Sequence, residues 1–214
     1  MCMACCGCFG RQLHRERQMK ILAFNGSPRK KGNTETLLSE VLMGAASKGA
    51  ETRLICLNEL NMKGCQGCGA CRKKLGACVQ KDDVSPLLQE MKNADALVFG
   101  TPVYCYNVSS QFKALIDRFY CFYGEDVDPA TGNKGVRVWF PSGKRIVIVT
   151  SQEAPDVFET VHNWLSLLGY LLNAGGMEFI EHCASENKRN SARDNPTILS
   201  QARAVGESLV KSSS

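Results

Sequence analysis

Cys65, Cys68, Cys71 and Cys78 form a C-x2-C-x2-C-x6-C run, and four soft ligands this close point to a bound metal centre. Three cysteines two residues apart can take successive corners of one iron-sulfur cluster, with the fourth corner filled a short loop later. Gly64, Gly67, Gly69 and Gly76 keep that loop pliable. Structural zinc sites usually set two C-x2-C pairs about a dozen or more residues apart, so zinc is the weaker reading. The plain alternative is a set of unliganded thiols in a reducing compartment.

A second chemical feature is Gly26-Ser27-Pro28-Arg29-Lys30-Lys31-Gly32-Asn33-Thr34, which places hydroxyls, basic side chains and backbone N–H groups at the start of an expected helix. The helix dipole and unpaired amides favour an anion there, and Ser27, Asn33 and Thr34 can donate hydrogen bonds to a phosphate. Neither G-x-G-x-x-G nor G-x-x-x-x-G-K-[ST] is present, which disfavours a Rossmann dinucleotide site and a triphosphate site. A capped helix behind a solvated basic turn is the bland reading of this segment. A third loop, Gly100 to Val108, carries Tyr104 and Tyr106, which can flank a flat ring, and backbone amides from Val103 to Asn107 that can hydrogen-bond a heteroaromatic system such as a flavin. Otherwise the tyrosines simply cover the end of a sheet.

These loops need a scaffold, and the hydrophobic pattern supplies one. Apolar runs at residues 20–25, 52–57, 95–101, 145–150 and 177–183 read as buried strands. Between them, stripes such as Leu37, Leu38, Val41, Leu42 and Ala45, or Val161, Trp164, Leu165, Leu168 and Leu172, recur at helical spacing. Asn33 or Thr34 is the expected cap of the first helix, and Ser85-Pro86 the expected start of another. Five strands alternating with helices predict an α/β fold, a doubly wound five-stranded parallel sheet in a single domain, with ligands beyond the carboxyl ends of the strands. Turn formers within 126–143, and alternating Val136, Val138 and Phe140, predict a small hairpin inserted there.

Size and charge narrow the class. The 214 residues, 44% of them apolar and 22% charged, suffice for one well-buried domain. Arg11, Arg15, Arg17 and Lys20 against Glu16 place +3 of the formal charge of +5 in the first twenty residues, so a nucleic-acid-binding body is not expected. Neither a secretory signal nor a long apolar run is evident, which predicts a cytoplasmic protein without a membrane anchor. The twelve cysteines then fit metal or redox chemistry better than a disulfide framework. His14, His162 and His182 are too scattered to form a ligand set, and Cys56, Cys121 and Cys183 are expected to be small buried hydrophobes.

In combination, Gly26-Ser27-Pro28-Arg29-x-x-Gly32-Asn33-Thr34, the cysteine run followed by Lys81-Asp82-Asp83, and Pro102-Val103-Tyr104 with Ser110-Gln111-x-Lys113-x-x-x-Asp117-Arg118 resemble the iron-sulfur flavoprotein and NADPH-dependent FMN reductase family. The resemblance runs from residue 19 to about residue 210. It implies a flavodoxin-like fold with strand order 2-1-3-4-5, bound FMN and redox activity. By position, Ser27, Arg29, Asn33 and Thr34 would hold the FMN phosphate, while Pro102, Val103, Tyr104, Tyr106 and Asn107 would line the ring and Ser151, Gln152 and Glu153 would complete the pocket. Cys65, Cys68, Cys71 and Cys78 match the ligands of a [4Fe-4S] cluster, although reductases without a cluster can carry similar cysteines. Cys105 departs from the bulky residue frequent at that place in the family.

The implied activity is electron passage from a donor such as NAD(P)H through FMN to the cluster, on to small-molecule or protein redox partners, in a homodimer or homotetramer. A cluster-free NAD(P)H-dependent FMN or quinone reductase is the alternative, and a non-enzymatic electron carrier or zinc-stabilised assembly protein is the third. Hydride transfer itself requires no acid or base, so no catalytic side chain is predicted. The segment 1–18, with Cys2, Cys5, Cys6 and Cys8, lies outside the resemblance and is expected to be a disordered extension of the 19–214 domain, whose cysteine loop occupies 64–79.

Overall fold

The computed structural model describes residues 17–73, 75–127, 129–154, 158–184 and 190–210. The cysteines at positions 2, 5, 6 and 8, His14 and the charges at 11, 15 and 16 lie outside these residues, and so does all of the expected 1–18 extension except Arg17 and Gln18.

Five strands form the parallel core: β1 (Lys20–Asn25), β2 (Glu51–Cys56), β3 (Ala96–Tyr104), β7 (Arg145–Gln152) and β8 (Gly176–Cys183). They lie in the order β2-β1-β3-β7-β8, which is the expected 2-1-3-4-5 when these strands are counted along the chain. β1 is buried from Ile21 onward, as an uninterrupted apolar run must be when helices cover both faces of a parallel sheet. Side chains alternate between the faces. Leu22, Phe24, Leu97, Phe99, Ile146 and Ile148 meet α2 (Val84–Asn93), α3 (Ser110–Asp117) and α4 (Phe158–Leu171). Ile21, Ala23, Val98, Val147 and Val149 meet α1 (Asn33–Ser47) and α5 (Pro196–Leu209).

The boundaries differ from expectation in informative places. β3 continues three residues past Thr101 because Val103 and Tyr104 pair antiparallel with Val108 and Asn107 of a two-residue strand, β4 (Asn107–Val108). Gly32 is the N-cap of α1, with no side-chain cap, and Asn33 is already helical. α2 starts at Val84, which puts Pro86 inside the first turn, where its nitrogen has no intrahelical bond to forfeit.

A hairpin is present but begins three residues before the expected 126–143 insertion: β5 (Tyr123–Val127) pairs antiparallel with β6 (Lys134–Val138), and Phe140 lies beyond it. The turn leading into the hairpin and α2 together hold the cysteine loop. Gly76 N–H donates to Cys121 O at 2.7 Å, and the Lys92 ammonium and Gln89 amide both donate to Gly76 O. On the opposite face, α1 and α5 approach backbone to backbone: a Cβ added to Gly206 would lie 1.9 Å from Val41 O, and one added to Gly44 would lie 2.1 Å from Arg203 O.

Candidate functional site

Beyond the carboxyl ends of β1, β3 and β7 lies a cavity of about 410 Å³. Ser27, Arg29, Asn33, Thr34, Pro102, Val103, Tyr104, Ser151, Gln152 and Glu153 all line it, joined by Gly32, Cys105 and Ala184. Tyr106 and Asn107 are not in this wall. The reason is the hairpin loop between β3 and β4, in which Cys105 and Tyr106 both have positive φ, 48° and 62°. Such a two-residue turn follows the twist of its strands and normally selects Asn-Gly. Here it turns Tyr106 out to 75% exposure and places Cys105 at the cavity instead.

The phosphate-type loop is built by local hydrogen bonds. Buried Asn25 closes β1 by accepting from Ser27 N–H at 2.9 Å, and Ser27 Oγ accepts from Arg29 N–H at 3.2 Å. These Asx- and Ser-type turns steer the chain across the sheet end before α1 begins. Lys31 sits at φ 55°, and its N–H donates to Glu35 Oε2 at 2.9 Å. Lys30 pairs with Glu59 at 2.8 Å, which leaves Arg29 as the cationic side chain in the cavity wall. Asn33 is not a simple phosphate donor: its Oδ1 accepts from Ala192 N–H at 3.0 Å, and its Nδ2 lies 3.5 Å from Ser191 Oγ.

Ser109, a residue not singled out by sequence, ties this loop to the next. Its Oγ donates to Gly26 O at 2.7 Å and accepts from Phe112 N–H at 3.3 Å, capping α3. Its own N–H donates to Thr101 Oγ1 at 3.0 Å. Gly26 N–H donates to Gly100 O at 2.8 Å, and a Cβ on Gly26 would stand 2.8 Å from Phe112 Cβ. The signal for Ser109 was a serine directly before a helical apolar stripe, the ordinary N-cap pattern.

At the other wall, Gln152 is 6% exposed. Its amide N–H donates to Ala154 O, and among the described residues its buried Oε1 has no partner. A buried acceptor left unpaired costs about 1–3 kcal/mol. A wall with a helix start and Arg29 fits a ligand that carries an anionic tail.

The cysteine loop makes a separate concavity of about 10 Å³, lined by Cys65, Cys68, Cys71 and Cys78 together with Arg118, Tyr120 and Cys121. The donor set is all thiol, which suits a thiophilic centre in kind. Among the described residues, no three or more His, Cys, Asp or Glu side chains are drawn together closely enough to hold a metal ion. Arg118 organises the loop, with its side chain fully buried. Nε donates to Cys78 Sγ at 3.3 Å, and Nη1 donates to Lys63 O at 2.9 Å and Asp82 Oδ2 at 2.5 Å. Nη2 donates to Asp82 Oδ1 at 3.1 Å and Ser85 Oγ at 3.0 Å. All five N–H groups of the guanidinium are therefore used. Burial alone would raise the Asp82 carboxyl, but the Arg118 hydrogen bonds and charge outweigh it and hold the pKa below its usual value.

Cys121 is buried as expected, and burial, then the neighbouring Cys78 and Cys71, push its thiol up to about 12. Cys56 is half-buried. Cys183 departs from expectation: it is exposed, with its Sγ donating to Glu153 O at 3.0 Å. His162 faces Glu181 at 2.9 Å and stacks on Phe179, whereas His182 is buried.

The family model described as NADPH-dependent FMN reductase matches residues 19–174. The chain belongs to that family. Among its relatives, an iron-sulfur flavoprotein of Methanocaldococcus jannaschii is 43% identical over 100 residues, 47% of this chain and 51% of that protein. Another from Archaeoglobus fulgidus is 47% identical over 100 residues, 47% of this chain and 48% of that protein. The match spans about half the length of each of these two. The iron-sulfur flavoprotein of Methanosarcina thermophila is 29% identical over 161 residues, 75% of this chain and 80% of that protein.

Among solved structures, an NAD(P)H:quinone oxidoreductase from Methanothermobacter marburgensis superposes with a TM-score of 0.65 at 18% identity, covering 91% of this chain and all of that one. An FMN-dependent NADH-azoreductase from Bacillus anthracis, solved in complex with FMN, gives 0.61 at 15% identity over 89% of this chain and 97% of that one. At these identities the FMN reductase family member shares with them its fold. No helix among its described residues is long and apolar enough to cross a membrane.

Proposed function

We propose that this chain is an FMN-dependent oxidoreductase that passes electrons between a reduced donor such as NAD(P)H, FMN and a [4Fe-4S] cluster. The carrying observation is that the loops after β1, β3 and β7 converge on one cavity of about 410 Å³, with Arg29, Asn33 and Thr34 of the loop and first turn of α1 in its wall. Ser27, Arg29 and Thr34 would hold the phosphate with the first turn of α1, and Asn33 would contribute its remaining N–H. Pro102, Val103, Tyr104 and Cys105 would border the ring, with Ser151, Gln152 and Glu153 closing the far side. Bound FMN supplies a ring that takes two electrons together and releases them singly. Cys65, Cys68, Cys71 and Cys78 would ligate the cluster, and the relatives that bear the name iron-sulfur flavoprotein support that reading. The protein would act in the cytoplasm as a homodimer or homotetramer, with small-molecule or protein redox partners.

Purification without oxygen tests this directly. FMN near one per chain, with iron and acid-labile sulfide near four per chain as a [4Fe-4S] cluster requires, is the expected result. Flavin without iron or sulfide would leave the cluster-free NAD(P)H-dependent FMN or quinone reductase. Bleaching of the flavin by NADPH or NADH in an anaerobic stopped-flow experiment would separate either enzyme from a carrier without nicotinamide turnover. Colourless protein that takes up no added FMN would overturn the proposal.

A further inference from the structure

Three contacts join the phosphate-type loop to a part of the chain that neither its motif nor the family match includes. The 3-10 turn Ser191–Asp194 lies beyond β8, and the family match ends at residue 174. Ala192 N–H donates to Asn33 Oδ1 at 3.0 Å, Asn33 Nδ2 lies 3.5 Å from Ser191 Oγ, and the Arg193 guanidinium donates to Lys31 O at 2.8 Å. Ser191 is in turn anchored to the sheet: its Oγ is 2.9 Å from Nε2 of His182, which is 4% exposed. His182 stands opposite Ser151 in the β7–β8 register, and Ser151 lines the cavity.

These contacts add to the local bond from Lys31 N–H to Glu35 Oε2 at 2.9 Å. Lys31 has φ 55°, a left-handed conformation that costs an ordinary L-residue about 1–2 kcal/mol. A side chain on the helix start fixes where the first amides of α1 point, and an anion there is bound well only if they are already aligned. We propose that Ser191, Ala192 and Arg193, anchored through His182, form a positioning brace that pre-sets Lys31 and Asn33 for the phosphate of the bound mononucleotide. The inference rests on the FMN reading above. These residues act through Asn33 and the loop backbone, so the brace should govern recognition of the phosphate group and leave recognition of the ring alone.

The test compares FMN with riboflavin, which lacks the phosphate, by titrating each into flavin-depleted full-length protein and following quenching of flavin fluorescence. For Arg193→Ala and Ser191→Ala, the expected result is a rise in the FMN dissociation constant of about tenfold, about 1.4 kcal/mol, with riboflavin affinity within about twofold of wild type. Ser191→Thr, which retains the hydroxyl, should restore most of the FMN affinity. Arg193 is exposed, so its variant keeps the test available if Ser191→Ala unfolds. Unchanged FMN affinity in both variants, or an equal loss for FMN and riboflavin, overturns the brace. An Arg193→Ala defect abolished by high salt also overturns it, because that would mark a general charge effect. Wild-type protein that binds neither flavin would instead remove the FMN reading itself.

Discussion

Arg118 shows how a single residue can organise a loop. The carbonyl of Lys63 precedes the cysteine run, Asp82 follows it and Cys78 is its last member, and one guanidinium reaches all three. Removing one partner of a buried pair strands the other charge, so Asp82→Asn is expected to lower stability at neutral pH by about 3–5 kcal/mol, read as a fall in the urea midpoint. The pH dependence has a defined sign. The Asp82 pKa is lowered in the folded protein, so its contribution is complete above the unfolded carboxyl value of about 4 and is lost as pH falls through the lower folded value. Urea midpoints measured from pH 7 down to pH 3 should show an acid limb in the wild type that is flatter in Asp82→Asn. An identical limb in both proteins would remove Asp82 from this role. Gln152 makes a contrasting case. Gln152→Leu removes an unpaired buried acceptor but also the hydrogen bond to Ala154 O, so the stability of the flavin-free protein should change by no more than about 1 kcal/mol. A loss of about 2 kcal/mol or more in urea denaturation would show that Gln152 is a packing residue.

At the level of elements, α1 and α5 meet backbone to backbone, where Gly44 and Gly206 remove the side chains that would separate them. Gly206→Ala forces that contact open and is expected to cost about 1–3 kcal/mol or more, measurable by urea denaturation; a neutral outcome would mean that α5 can slide without loss. The alternation of the five parallel strands with helices was legible in the sequence from short apolar runs and apolar stripes, whereas the strand order came only with the family resemblance. The loops after β1 and β3 were legible because their residue types are local chemistry. Ser109, His182, Ser191 and Arg193 were not identified. The capping role of Ser109 has a local signal, but the contacts that tie these residues to the site reach partners 83, 9, 158 and 162 positions away, which no local pattern encodes. Tyr106 and Asn107 fell outside the cavity wall for a related reason, since a left-handed turn formed by Cys105 and Tyr106 contradicts ordinary turn preferences.

For the whole molecule, cofactor binding and folding are linked. A ligand that binds only the native state adds about 2.7 kcal/mol at a hundredfold excess over its dissociation constant. In a chain of this size each kcal/mol shifts the midpoint by about 2–4 °C. Saturating FMN should therefore raise the melting temperature of flavin-depleted protein by about 5–10 °C, with riboflavin giving less at the same concentration; differential scanning calorimetry that shows no shift would contradict a native-state FMN site. The contacts from Ser191, Ala192 and Arg193 carry a further consequence for biosynthesis. The loop after β1 is translated early, but the residues that contact it, from Ser191 to Arg193, follow β8. Under the proposed brace, a nascent polypeptide that already displays every family motif would have no finished socket until the ribosome had passed residue 193, which would put cofactor capture late in maturation.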